Sequence, residues 1–142
     1  MLYLLLVVQS FAISSNPVAW QTNFEEAKQM AVEQDKRILM VFAGSDWCAP
    51  CIKLKKKILI TEEFQEFEKE SLIVLYIDFP KRKKNRLSKE LTAQNESLAE
   101  QYNRSGVFPN VFLMDGVGKV IKNVKYKGQS PNEFISEIEA SL

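Results

Sequence analysis

The chain has 142 residues, 19 Lys and Arg against 18 Asp and Glu, and no histidine. That is enough chain for one domain with one core, and a net charge of +1 gives no global electrostatic case for a polyanionic partner. The lack of histidine excludes imidazole acid–base catalysis, Cys–His nucleophile pairs and histidine metal ligands, and two cysteines only three positions apart, Cys48 and Cys51, cannot staple a disulfide-framework fold.

An apolar run opens the chain, from Leu2 to Val8 and, past Gln9 and Ser10, through Ile13. It is shorter than the about 20 residues that cross a bilayer and matches the apolar region of a secretory signal peptide. Ala12 and Ser14 are small residues suited to cleavage, although no Lys or Arg precedes the run. The expectation is a signal over residues 1–15 and one domain over 20–142, hence a periplasmic or otherwise exported protein with no stable membrane insertion after signal removal. The competing reading, a strand or helix packed on the core, makes the protein cytoplasmic.

Thr22 and Glu25 match a capping box, and Phe24, Ala27 and Ala31 recur at helical spacing, which predicts a helix over about 23–34. Ile38 to Ala43 is continuously apolar, as in a strand buried on both faces. A turn follows, Ala43-Gly44-Ser45-Asp46, and then a helix through Lys57. Thr61 caps a further helix with Phe64 and Phe67 inward, and Leu72 to Asp78 reads as a second buried strand that Phe79-Pro80 ends. A basic run comes next: Lys81, Arg82, Lys83, Lys84 and Arg86. Leu87, Leu91, Leu98 and Tyr102 fall on one face of a core helix that starts near Ser88 and ends before Gly106. Asn110 to Met114 is a third strand, Asp115 to Gly118 a hairpin turn, and Val120 to Tyr126 a fourth, edge-like strand. Ser130-Pro131-Asn132-Glu133 is a capping box with proline at the first helical position, and Phe134, Ile138 and Leu142 turn the last helix to the core. The first two core strands pair in parallel through a right-handed crossover, the hairpin adds antiparallel strands, and helices cover both faces of the sheet.

The chemistry concentrates in Trp47-Cys48-Ala49-Pro50-Cys51, where the first apolar strand hands over to a basic helix. Unpaired backbone N–H groups at a helix N-terminus favour negative charge, and the thiolate is the reactive form of cysteine. The second thiol lies one turn on and can close a disulfide with the first. Pro50 is harmless in a first turn, where its missing N–H removes no helical bond. Lys53, Lys55, Lys56 and Lys57 lie toward the far end of the helix in solvent, where screening within about 8–10 Å limits their effect on Cys48. A tetrahedral zinc needs four ligands, whereas this pair offers two, so neither a metal nor another cofactor is expected.

The element order, Trp-Cys-x-Pro-Cys after the first core strand and a lone proline, Pro109, before the hairpin resemble the thioredoxin-like family, and in particular exported bacterial members with an Ala-Gly-Ser-Asp-Trp-Cys approach. The resemblance spans about 23–142, with Ile38 to Leu54, Leu72 to Phe79, Asn95 to Asp115 and Gly128 as its matching stretches. It implies an α/β thioredoxin fold: a central mixed sheet of four strands, or five, with helices on both faces. It also implies roles: Cys48 the attacking thiolate, Cys51 the resolving thiol and the two together a redox-active disulfide. Trp47 would cover the site, with Ala49 and Pro50 between the thiols. Pro109 would be a cis proline beside the disulfide, and Phe108 would offer backbone groups to an extended substrate. Two features depart from the family pattern. The strand before the motif carries no acid, Val41 standing where thioredoxins bury an aspartate, and Asp46 lies in the turn; Ala49 stands where many members have glycine. The segment from Pro80 to Gln94 is longer than in a minimal thioredoxin.

The resemblance implies a thiol–disulfide oxidoreductase that reduces or isomerises protein disulfides as a monomer, with protein disulfide substrates and an upstream thiol electron donor or acceptor as partners; oxidation is the same sequence reversed. The competing readings are a non-catalytic peptide-binding module of the same fold and a metal-chaperone-like Cys-x-x-Cys protein. The basic run reads as a solvated loop, with docking to an acidic partner as its functional alternative. No aromatic residues interleave with it, so nucleic acid is not expected.

Overall fold

In the computed structural model, which describes residues 19–142, the unbroken apolar run from Ile38 to Ala43 has no solvent face. It forms β1 (Arg37–Ala43), the strand to which the rest of the sheet is added. β2 (Leu72–Asp78) pairs with it in parallel, from Arg37 opposite Leu72 to Ala43 opposite Asp78. On its other side β3 (Asn110–Met114) runs antiparallel, Ile38 opposite Met114 and Phe42 opposite Asn110. β4 (Val120–Val124) closes the hairpin as an edge, with a register irregularity at Leu113 and Met114. The sheet order is β2-β1-β3-β4. A fifth strand amounts to one bridge: the Gln21 N–H donates to the Val74 carbonyl and the Gln21 carbonyl accepts from the Tyr76 N–H, both at 2.9 Å.

Strand alternation sorts the core into two layers. Leu39, Val41, Ala43, Val74, Val111 and Leu113 point to one face, packed with Leu54, Phe64, Phe134 and Ile138. These come from α2 (Ala49–Leu54), α3 (Glu62–Ser71) and α5 (Pro131–Glu139). Ile38, Met40, Phe42, Leu75, Ile77 and Met114 point to the other face, beneath α1 (Phe24–Gln34) and α4 (Lys89–Tyr102). This is the expected mixed sheet with helices on both faces. The apolar leader and its expected signal lie outside the described residues.

Local details differ from the sequence reading, each for a physical reason. Asn23, not Thr22, caps α1, its Oδ1 accepting the Glu26 N–H at 3.0 Å; Thr22 instead gives its carbonyl to Gln94 Nε2 at 2.8 Å. The helix after the cysteines does not run through in α register. It widens into a π turn over Lys55–Leu59, closed by the Ile60 N–H on the Lys55 carbonyl at 3.0 Å, which leaves three lysines outside and buries Ile58 and Leu59 side by side. β4 ends at Val124, two residues before Tyr126, where Gln129 Nε2 takes the Lys125 carbonyl at 2.8 Å. In α4 only Leu98 of the apolar stripe is fully buried; Leu87, Leu91 and Tyr102 are half-buried, and the inward position between is Asn95. Leu142 lies beyond the end of α5 and is exposed rather than on the core. The Ser130–Glu133 capping box forms in full.

Phe64 has no exposed surface and meets Phe67 and Phe134 at 6.2 Å between ring centres, joining α3 to α5. Phe64→Ala is expected to lower unfolding stability in urea by about 3–5 kcal/mol, a large share of the roughly 5–15 kcal/mol of a typical domain, while a substitution at exposed Val117 shifts it by less than about 0.5 kcal/mol.

Candidate active site

Three chain segments reach the same end of the sheet: the C-terminal ends of β1 and β2 and the N-terminal end of β3. From β1 the chain turns sharply, the Cys48 N–H donating to the Gly44 carbonyl at 2.9 Å. Gly44 is required by close approach, because a Cβ there would stand inside the Trp47 indole. Asp78, the last residue of β2, holds the turn from the side: its carboxylate accepts from the Ser45 N–H at 2.9 Å and the Ser45 hydroxyl at 2.5 Å.

Cys48 is the N-cap of α2, in extended conformation, and its Sγ accepts the Cys51 N–H at 3.3 Å. Ala49 and Pro50 occupy the first two helical positions. Cys48 and Cys51 are joined in a disulfide with Cα atoms 5.2 Å apart, a separation normal for such a bond. Cys48 keeps 5 % of its surface exposed and Cys51 1 %, so Cys48 is the more exposed member of the pair. The N–H aimed at Sγ would stabilise charge on that atom once the bond is reduced.

Aromatic side chains gather beside the pair. Trp47 is 39 % exposed, and its Nε1–H donates to the Phe79 carbonyl at 2.7 Å. Phe108 stands edge-on to both Trp47 and Phe79, each at 5.5 Å between ring centres, and packs against the apolar cluster that holds the two cysteines. The Phe108–Pro109 peptide is cis, and the pairing of Phe42 with Asn110 sets it at the same sheet end as the cysteine turn. An asparagine chain pins this segment. Buried Asn103 donates to the Val107 carbonyl at 2.9 Å and accepts from the Val107 N–H at 3.3 Å and Asn110 Nδ2 at 2.9 Å. Asn123 Nδ2 donates to Asn110 Oδ1 at 2.8 Å.

The sequence reading missed these asparagines and both aspartates as anchors. Asp46 does not face the sulfurs. Its carboxylate accepts the Lys81 N–H at 2.9 Å, the Arg82 N–H at 3.0 Å and Asn85 Nδ2 at 2.9 Å, clamping the basic loop to the cysteine turn. These bonds, that from Lys81 foremost, hold the carboxyl down at about 2. A signal for this was present, since Asp46 is the only acid between Asp35 and Glu62. Val41 is fully buried in the cluster that contains Cys51, and the buried polar side chains among the described residues are Asn95 and Asn103, so no buried acid stands by the second thiol. Lys55 turns to the ring faces of Trp20 and Tyr76, at 5.6 and 6.0 Å.

This fold, with a disulfide-forming Cys-x-x-Cys pair at the head of a helix, defines a thiol–disulfide oxidoreductase. The model of the thioredoxin-like domain matches residues 24–141, and the chain belongs to that family. It is 30 % identical over 134 residues to the disulfide bond reductase DsbH of Chlamydia pneumoniae, a match covering 94 % of this chain and 78 % of the relative. The thioredoxin-related protein DsbJ of the same organism is 26 % identical over 128 residues, 90 % of this chain but 35 % of the relative. Among solved structures, a DsbH oxidoreductase superposes with a TM-score of 0.81 at 28 % identity, over 94 % of this chain and 90 % of the other. A disulphide isomerase from Xylella fastidiosa Temecula1 shares the fold, with a TM-score of 0.60 at 21 % identity over 81 % and 87 % of the two chains.

The Asp46 clamp has a definite pH window. A carboxyl held at about 2 against an ordinary 3.8 contributes fully above the ordinary value and is lost as pH falls through the lower one. The Lys81 and Arg82 amide resonances are expected to titrate with a midpoint near 2 rather than 3.8. In Asp46→Ala the same amides should exchange with deuterium about tenfold faster at neutral pH, with the core strands unaffected.

Proposed function

We propose that the protein is a reductase of protein disulfides in an exported compartment, with Cys48 as nucleophile and Cys51 as resolving thiol. The observation that carries this reading is the position of Cys48: N-cap of α2, Sγ on the Cys51 N–H, and the more exposed member of the pair. The relation to a disulfide bond reductase supports the reducing direction, and the apolar leader over 1–15 supports export.

In the reduced protein the Cys48 thiolate attacks one sulfur of a partner disulfide. A mixed disulfide forms between Cys48 and that sulfur, and the other partner sulfur leaves as a thiolate that takes up a proton. Cys51, one helical turn away, loses its proton and attacks the Cys48 sulfur, expelling the second partner thiol. Two electrons have passed to the partner, and Cys48–Cys51 is left oxidised. A thiol donor upstream returns the pair to the dithiol by the reverse exchange. Trp47 and Phe108 form the walls that a partner chain passes, and Pro109 presents the adjoining backbone without an N–H of its own.

Cys51→Ala is expected to accumulate dithiothreitol-sensitive mixed disulfides through Cys48 when mixed with a disulfide-bearing protein, seen as mass-shifted adducts. Cys48→Ala should trap none, and turnover of both variants should fall below about 1 % of wild type because neither can complete the exchange. A fold that merely binds peptides would give no adduct with either variant. Equilibration with glutathione tests the direction: a reductase should lie near the about −270 mV of thioredoxin, and a value near −120 mV, that of a strong oxidant, would overturn it.

A further inference from the structure

The segment from Pro80 to Lys89 carries Lys81, Arg82, Lys83, Lys84, Arg86 and Lys89 and no acid. Since the whole chain is only +1, the remainder is net −5, and the positive charge is concentrated here. All six cationic residues are exposed. The ion pairs found among the described residues, Lys28 with Glu25 and Lys122 with Glu137, involve none of them.

An unconstrained basic loop would need no explanation beyond solubility, but this one is fixed in place. Asp46 binds two of its backbone N–H groups and the Asn85 amide, and Lys83–Asn85 forms a 3-10 turn closed by the Arg86 N–H on the Lys83 carbonyl at 3.2 Å. Asp46 is thereby occupied mainly by the loop's backbone, and the cationic side chains are left to solvent. The loop is also fixed next to the chemistry. The Lys81 ammonium lies 4.0 Å from the centre of the Trp47 ring, one residue from Cys48. Beyond it a cleft of about 470 Å³ opens, lined by Phe79, Pro80, Arg86, Leu87 and Lys89 among others, with Glu96 as the acid on its α4 side. Phe79 is shared between the two places: it lines the cleft, packs its ring on Phe108 and takes the Trp47 N–H on its carbonyl. Asp78, also on the cleft wall, is engaged by Ser45.

We propose that this shelf docks an acidic, extended segment beside the disulfide of the protein partner. Carboxylates of that segment would meet Lys83, Lys84 and Arg86, and an apolar side chain would enter the cleft against Phe79 and Leu87. The proposal rests on the exchange reading of Cys48 and Cys51 and names the partner that this site selects. A concentrated cationic shelf steers an anionic partner, raising encounter rates by about 10- to 1000-fold at low salt and losing that gain as salt screens it. Its placement against Trp47 favours a protein partner over an anionic membrane, since the steered object must bring a sulfur to Cys48.

The test uses two synthetic peptides with the same internal disulfide, one flanked by glutamates and one by lysines, reacted with the reduced full chain. Hydroxyethyl disulfide, uncharged and too small to span the shelf, reports the cysteine chemistry alone and normalises both rates. The acidic peptide is expected to react about tenfold faster or more at low ionic strength, and the preference should vanish near 1 M salt, where the screening length is about 3 Å. The triple variant Lys83→Glu, Lys84→Glu, Arg86→Glu should reverse the preference. Equal rates for the two peptides, with hydroxyethyl disulfide still reduced, overturn the docking inference and leave the exchange reading standing. Failure to reduce any of the three overturns both. Tight binding of the wild type to phosphatidylserine vesicles that the triple variant loses, without a peptide preference, also overturns it and assigns the shelf to a membrane.

Discussion

The burial of β1 on both faces is the constraint from which the site follows. A strand with no solvent face must be paired on both edges and roofed on both sides, and the chain meets this with parallel β2, antiparallel β3 and two layers of helices. A parallel neighbour ends where β1 ends, and an antiparallel neighbour begins there. The turn after Ala43, Asp78 with Phe79, and Phe108 with Pro109 are therefore gathered at one end of the sheet by topology alone. Each contributes something different: the sulfurs, the anchors and the wall.

What topology gathers, polar contacts then fix. Asp78 reaches into the cysteine turn and holds Ser45, while Asp46 reaches out of the same turn and holds the loop after β2. The two carboxylates thus tie the cysteine turn and the chain after β2 to each other from both sides. The Trp47 N–H on the Phe79 carbonyl adds a third tie across the same gap. On the opposite wall the Asn103–Asn110–Asn123 chain does equivalent work with neutral groups. The buried Asn103 amide would be costly to leave unpaired, and its bonds to Val107 and Asn110 hold the 107–110 segment in place.

The parts of this arrangement that were legible in the sequence are those decided by neighbours along the chain. The strand at Ile38 to Ala43 is an uninterrupted apolar run, and the Ser130–Glu133 box closes over three residues. The cysteine pair declares its chemistry through its own spacing and through Pro50 beside it. What stayed hidden depends on partners far away in sequence. Asp46 meets Lys81, Arg82 and Asn85 across 35 to 39 positions, and Ser45 meets Asp78 across 33. No local period encodes such contacts. The choice of Asn23 over Thr22 as cap has the same origin, because Gln94, 72 positions on, takes the Thr22 carbonyl. The π turn arises where Ile58 and Leu59 both need the core and three lysines before them need water, a conflict that a regular helical repeat cannot express.

The two cysteines occupy unlike surroundings, in keeping with the separate roles proposed for them. Cys48 follows Trp47 in the chain and lies in the apolar cluster on which Phe108 packs, with a backbone N–H directed at its sulfur. Cys51 sits a turn deeper among Val41, Leu54 and other apolar side chains, with no buried acid beside it among the described residues. In the proposed exchange a partner disulfide passes Trp47 and Phe108 to reach Cys48, so these side chains rather than the sulfurs would set which partners reach it. The inner sulfur is then reached only from within the protein, through the bond it forms with the outer one. On this reading discrimination and chemistry fall to different parts of one end of the sheet, joined where Phe108 packs on the cluster that holds the cysteines.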